Sequence, residues 1–311
     1  MNDRPQLPQL SGRTFITDGG METDLIFNSG LDLPHFASFV LLENERGVQM
    51  LRDYYLPYIE IARDQRVGII LDTPTWRANA DWGARLGYSP EALTALNRRG
   101  VALLEELRAS AGDEPALVIS GCLGPRGDGY RADQRMSDAE AAQYHAPQIA
   151  TFADTAADMI SALTLTYAEE AVGIVRAAEA AAMPAVISFT VETDGRLPSG
   201  QALHEAIEQV DAETAGAAAY FMVNCAHPTH FADALEDVGP SLDRIRGLRA
   251  NASAKSHAEL DEAEELDEGD PVELAQHYRD LVPRLRNLTV VGGCCGTDHR
   301  HIAAICAAWV D

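Results

Sequence analysis

Residues 288–297 read Leu-Thr-Val-Val-Gly-Gly-Cys-Cys-Gly-Thr. A short β-favouring run stops at two glycines and a vicinal cysteine pair, the profile of a buried strand that delivers functional groups at its C-terminal end. Working outward, similar apolar runs occur at residues 14–17, 67–71, 116–120, 185–189 and 219–223, with two weaker ones at 159–163 and 245–250. Amphipathic stretches separate them at 47–64, 90–109, 138–157, 168–182, 201–215 and 271–285. Ser89-Pro90 and Asp270-Pro271 have the form of a cap residue followed by a first-turn proline. Eight strand–helix units in 311 residues predict an α/β protein with a single (β/α)8 TIM barrel over residues 14–311, rather than a doubly wound sheet. Residues 1–13 are expected to form a short, flexible lead-in.

Composition narrows the function classes. The chain carries 24 Lys+Arg against 48 Asp+Glu, a net charge of −24, which repels nucleic-acid backbones and anionic lipid. With 46% hydrophobic residues there is enough apolar side chain for a large core, and no uninterrupted run is long enough to span a bilayer. The first ten residues lack the apolar centre of a signal peptide, so a cytoplasmic protein is expected. Five cysteines in such a chain argue against a disulfide framework.

In a barrel, the working residues follow the strands. Asp18-Gly19-Gly20-Met21-Glu22 follows the first run, Asp72-Thr73 to Trp76 the second, Gly121-Cys122 the third, Thr190 to Asp194 the fifth and Asn224-Cys225 the sixth. Cys225, Cys294 and Cys295 thus fall at strand ends six and eight, one strand apart. Three thiolates suit Zn²⁺ and leave a fourth tetrahedral position for water or substrate. The flanking glycines free two adjacent cysteines to aim at one ion. Cys122 and Cys306 are read as buried fillers, and His227, His230, His299 and His301 as bystanders. Two other uses of the cysteines stay open: a closed zinc site completed by a histidine, and redox chemistry at the Cys294–Cys295 pair.

Other motifs fall away. There is no G-x-G-x-x-G, no Walker loop and no G-x-S-x-G elbow, and the glycines of residues 121–129 are interrupted by Pro125 and charges. Residues 259–270 hold eight carboxylates in twelve positions, too many for a core, and lack the alternation of an EF-hand. A solvated loop or frayed helix is expected there, with a lid as the alternative.

The strand-end motifs resemble the zinc-dependent homocysteine S-methyltransferases, relatives of betaine–homocysteine methyltransferase and of the homocysteine module of methionine synthase. Asn224-Cys225 and Gly292-Gly293-Cys294-Cys295-Gly296-Thr297 match the two ligand motifs, Asp18-Gly19-Gly20-Met21 the opening motif, and Ser188-Phe189-Thr190, Leu197 and Gly200 the strand-five pattern. The resemblance implies a TIM barrel in which Cys225, Cys294 and Cys295 hold zinc while Asp18, Gly19 and Gly20 hold the amino acid substrate. It also implies methyl transfer from S-methylmethionine or S-adenosylmethionine to a zinc-bound thiol, with no domain for folate or cobalamin. A cationic donor favours carboxylates and aromatic faces; Glu22, Trp76 and Glu192 are the expected wall residues, and Thr73 and Asn224 are expected to bind substrate as well. Two positions depart from the pattern: Glu22 stands where the family usually has Gly, and Leu163-Thr164 where it commonly has Glu-Thr. Because that Glu contacts the substrate amino group, a different thiol or selenol acceptor is the alternative to homocysteine.

Overall fold

The computed structural model describes residues 6–237, 239–263 and 265–310. Eight strands form a closed barrel in sequence order: β1 (Phe15–Ile16), β2 (Gly68–Asp72), β3 (Leu117–Leu123), β4 (Met159–Leu165), β5 (Ala185–Phe189), β6 (Tyr220–Asn224), β7 (Ile245–Ala250) and β8 (Val290–Gly293). Every pairing is parallel, and β1 closes the ring by pairing Phe15 with both Gly68 and Val290. The two weak runs are therefore strands four and seven.

Side-chain alternation divides the core in two. Ile69 and Leu71 point out to the helices, whereas Ile70 joins Phe15, Val118, Met159, Val186, Tyr220 and Val290 inside the barrel. Both faces of each strand are buried, which is why the runs are continuously apolar.

Helix ends follow local chemistry. Ser89 accepts from the Ala92 amide ahead of Pro90–Ala111, Ser137 and Glu140 form a capping box at Asp138–Ala153, and Asp270 caps Pro271–Leu281. The first long helix, Glu45–Gln65, starts two residues earlier than its apolar pattern because Asn44 accepts from the Gly47 amide. The helix expected to reach residue 285 stops at Leu281, two residues before Pro283, which has no amide hydrogen and disfavours a helical residue ahead of it. The one expected to reach 157 stops at Ala153, since Asp158 must turn into β4, where its carboxylate accepts from the Ile119 amide and Arg108.

The expected loose lead-in is corrected for residues 7–10. Leu7 and Gln9 are buried, and Leu7 and Leu10 pack on the inner core. Gln9 Nε2 donates to Tyr220 Oη at 3.3 Å, and its carbonyl accepts from Thr289 Oγ1 at 3.0 Å. Tyr220 begins β6 and Thr289 precedes β8, so this turn stoppers the N-terminal mouth. An open barrel bottom would leave apolar residues wet. Residues 1–5 lie outside the described residues. Among those described, no helix is long and apolar enough to cross a membrane.

Candidate metal centre and its cavity

The C-terminal mouth gathers the sulfurs. Cys225 leaves β6 with φ 55°, and Cys294 and Cys295 leave β8 directly after Gly293. Their ligand atoms all lie within 4.8 Å of one another, and among the described residues no histidine joins them. Cys225 and Cys294 are paired as a disulfide, with Cys295 Sγ 3.9 Å from Cys225 Sγ. The adjacent pair named from the sequence, Cys294–Cys295, is not the bonded one. His227 instead contacts Thr229, His230 contacts the Ala254 carbonyl, His301 pairs with Asp298, and His299 is exposed.

Polar brackets hold this arrangement. Asn224 Oδ1 accepts from the Thr164 amide at 2.9 Å and from Ser188 Oγ at 2.6 Å, while its Nδ2 faces Thr164 Oγ1 and Cys294 Sγ. Its amide group is thus occupied in fixing β4, β5 and β6 to the cysteine loop. The glycines are needed for close approach: a Cβ on Gly19 would meet the Thr297 carbonyl at 2.6 Å, and one on Gly20 would overlap the Cys294 carbonyl. Loops one and eight are thereby pressed together. Gly296, at φ +79°, makes the turn that follows the cysteines.

Beside the sulfurs lies a buried charge triad. Arg249, on β7, donates to Asp18 at 2.6 Å and to Asp72, and also reaches the Gly293 carbonyl at 3.1 Å. Tyr54 Oη donates to Asp18 at 3.2 Å. Burial pushes the Asp18 carboxyl up to about 7, against the pull of Arg249 and with Asp72 adding to the rise. Burial also works against the Arg249 charge, but the two carboxylates outweigh it and hold its pKa above the ordinary value. One guanidinium thus serves two carboxylates, leaving a net negative floor.

Above the floor opens a cavity of about 330 Å³, lined by Asp18, Gly19, Gly20, Glu22, Thr73, Trp76, Asn224 and the three cysteines, all named from sequence. Leu163 and Thr164 come from β4, so that strand offers the cavity no carboxylate. Glu22 accepts from Ser38 at 2.7 Å, and burial raises its pKa despite that bond. Thr73 Oγ1 accepts from the Cys122 amide, and Cys122 itself, expected only as filler, forms part of the floor. Glu192 is corrected. It stands outside the lining, 3.3 Å from His257 Nδ1, because the chain after β5 turns away to pair Arg196 with Ala202. The acidic stretch is a short helix, His257–Asp261, running into a loop whose described carboxylates are mostly exposed, as expected, while Leu260, Asp261, Ala263 and Leu266 border the cavity.

The sequence profile of the homocysteine S-methyltransferases matches residues 15–309. The chain belongs to the homocysteine S-methyltransferase family. Its fold is similar to that of the homocysteine methyltransferase MmuM from Escherichia coli. The metallated form superposes with TM-score 0.73 at 22% identity over 95% of this chain and 96% of that one. The oxidized form gives 0.73 at 23% over 94% and 95%, and the apo form 0.67 at 20% over 95% and 96%. No curated protein matches. As a member of this family the chain is a methyltransferase.

Three residues of this methyltransferase site, and a fourth that packs behind it, escaped the sequence reading. Arg249 lies in a strand of weak pattern. Tyr130 Oη, 3.5 Å from Cys295 Sγ, comes from a loop that looked like a plain glycine turn. His257 follows no strand directly; its Nε2 lies 2.7 Å from the Cys225 carbonyl and its ring stacks on Tyr130 at 4.1 Å. Arg77 was passed over beside Trp76. Charge inside a strand was the one available signal, and it marked Arg246 and Arg249 alike.

Proposed function

We propose that this enzyme is a zinc-dependent S-methyltransferase that moves a methyl group from a sulfonium donor, S-methylmethionine or S-adenosylmethionine, to a thiol, with homocysteine giving methionine. The observation that carries this reading is the convergence of Cys225, Cys294 and Cys295 within 4.8 Å at the cavity floor. A tetrahedral ion with Zn–S bonds of about 2.3 Å spaces its sulfurs about 3.8 Å apart, close to the 3.9 Å between Cys225 and Cys295. Occupancy requires Cys225 and Cys294 to be reduced, which a cytoplasmic location favours. When bound, zinc supplies a soft Lewis-acidic position at which an acceptor thiol loses its proton near neutral pH.

The chain's own residues do the rest. Asn224 and the loop-one glycines hold the cysteine loops in register, and Asp18 and its neighbours form the wall beside the acceptor. Burial raises the Cys295 thiol, so a dication is needed to hold the cluster as thiolates. In the transfer, a C–S bond forms to the acceptor sulfur as the donor's C–S⁺ bond breaks. The donor leaves as a neutral thioether and the thiol proton passes to solvent. The negative floor, Glu22, Trp76 and Tyr130 suit a small cationic donor; no nucleic acid or membrane is a partner in this reading.

The test combines metal analysis with a screen. Reduced protein should bind one zinc, each of Cys225→Ser, Cys294→Ser and Cys295→Ser should lose it, and the zinc form should methylate a thiol from at least one sulfonium. Zinc-loaded protein that methylates no thiol from any sulfonium would refute the reading.

A further inference from the structure

Arg77 lies five residues beyond the end of β2, opposite β6 and its Cys225 in the ring and two strands round from β8. Its guanidinium is clamped between two indoles, with Cζ 3.9 Å from the Trp76 ring and 3.9 Å from the Trp82 ring. One Nη donates to the Gly127 carbonyl at 3.1 Å, a carbonyl that also accepts from Trp82 Nε1. The residue is only 7% exposed, yet among the described residues its charge has no carboxylate within 4 Å and its Nε has no partner. It lines the same cavity as the cysteines. The contrast with Arg249, the other arginine of that lining, is complete: Arg249 is satisfied by two carboxylates and a carbonyl.

A buried cation held rigid and left without a counter-ion is costly unless a ligand supplies one. The indole faces favour the charge and fix the plane of the guanidinium, but they do not replace an acceptor in that plane. Burial lowers the Arg77 pKa to about 10, against the attraction of Asp128 and Glu22, so it stays charged at neutral pH. Of the three guanidinium nitrogens one Nη is bonded to Gly127 and Nε is enclosed, so the second Nη is the one left to meet a ligand, and its natural counterpart is a carboxylate.

Building on the methyltransferase reading above, we propose that Arg77 is the residue that anchors the carboxylate of the sulfonium donor. Position selects the donor over the acceptor. The acceptor sulfur belongs at the cysteines beside β6 and β8, whereas a donor must reach that sulfur from the open side of the cavity. Arg77, after β2, stands on the side of the mouth opposite β6. Glu22 and Asp128, both in the lining and both attracting the Arg77 charge, place carboxylates near it for the cationic part of a zwitterion. Trp76, whose Nε1 donates to the Leu163 carbonyl at 3.3 Å, separates Arg77 from β4 and carries the wall between them.

The experiment compares S-methylmethionine, its methyl ester and trimethylsulfonium as donors to homocysteine, using zinc-loaded wild type, Arg77→Gln and Arg77→Lys. Wild type should prefer S-methylmethionine to the ester by about 10- to 100-fold in kcat/KM. In Arg77→Gln that preference should collapse, through the donor KM, with Arg77→Lys recovering part of it. An unchanged preference overturns the proposal and leaves Arg77 as a brace for the two tryptophans. A rise in the homocysteine KM in place of the donor KM assigns the carboxylate to the acceptor and overturns it equally. If wild type transfers no methyl group from any of the three, the functional reading fails separately, and calorimetric titration decides for Arg77. Tighter binding of S-methylmethionine than of its ester, lost in Arg77→Gln, supports the anchor; equal binding, or none, overturns it.

Discussion

Replacing Arg249 by Met tests the reasoning about the charge triad. The substitution removes the cation shared by Asp18 and Asp72 and leaves two buried carboxylates facing one another. Breaking a buried pair in this way costs about 3–5 kcal/mol, because the remaining charge keeps its desolvation penalty and loses its compensation. At roughly 2.1 cal/mol/K per residue, 311 residues give an unfolding entropy of about 0.65 kcal/mol/K. The expected fall in Tm at pH 8 is therefore about 5–8 °C. The deficit should depend on pH with a definite sign. A carboxyl whose folded pKa is raised adds stability below its unfolded pKa and loses it as pH rises through the folded value. Asp18 already stands near 7 against an ordinary 3.8, and removing Arg249 pushes it higher. The gap between wild type and variant should be small at pH 4 and should widen through pH 7 and above. Asp72→Asn on top of Arg249→Met should recover part of the loss. Paired thermal melts from pH 4 to 8 cancel the titrations common to both proteins. A gap that is flat with pH, or that widens towards pH 4, would show that the triad is not the source of the effect.

Two further outcomes are expected. Glu22→Gln decides which substrate Glu22 serves: a rise of about 10-fold or more in the donor KM assigns it to the donor's cation, the same rise in the homocysteine KM assigns it to the acceptor ammonium in place of the carboxylate that β4 lacks; poor homocysteine activity in wild type, little changed by the substitution, would favour another thiol or selenol. At Asp298, burial alone would raise the pKa, but bonds from Arg300 and His301 outweigh it and bring it down to about 2. That contribution is present above pH 4 and lost as pH falls through 2, so Asp298→Asn should cost about 1–2 kcal/mol at pH 7, with the gap closing in acid; denaturant melts at pH 7 and below pH 3 check this.

Sequence alone determined the barrel and the cysteine cluster, because both rest on short-range patterns. Buried parallel strands are continuously apolar, and strand ends carry the cysteines whatever the packing around them. The Gly-Gly-Cys-Cys-Gly-Thr stretch and Asn224-Cys225 were legible for that reason. So were Asp18, Glu22, Thr73 and Trp76 as residues of the mouth. Tertiary structure decided which groups are free to meet a ligand. Asp18 is named by its strand, but its engagement by Arg249 joins residues 231 apart in the chain. Asn224 follows the strand rule yet turns its amide to Thr164 and Ser188. Glu192 follows the same rule and misses the cavity, because the backbone after β5 leaves the mouth. Arg77 carries no pattern at all, and only the packing of Trp76 and Trp82 against it shows a buried cation without a carboxylate. Charge neutralisation is a property of three-dimensional neighbours, and strand periodicity does not encode it.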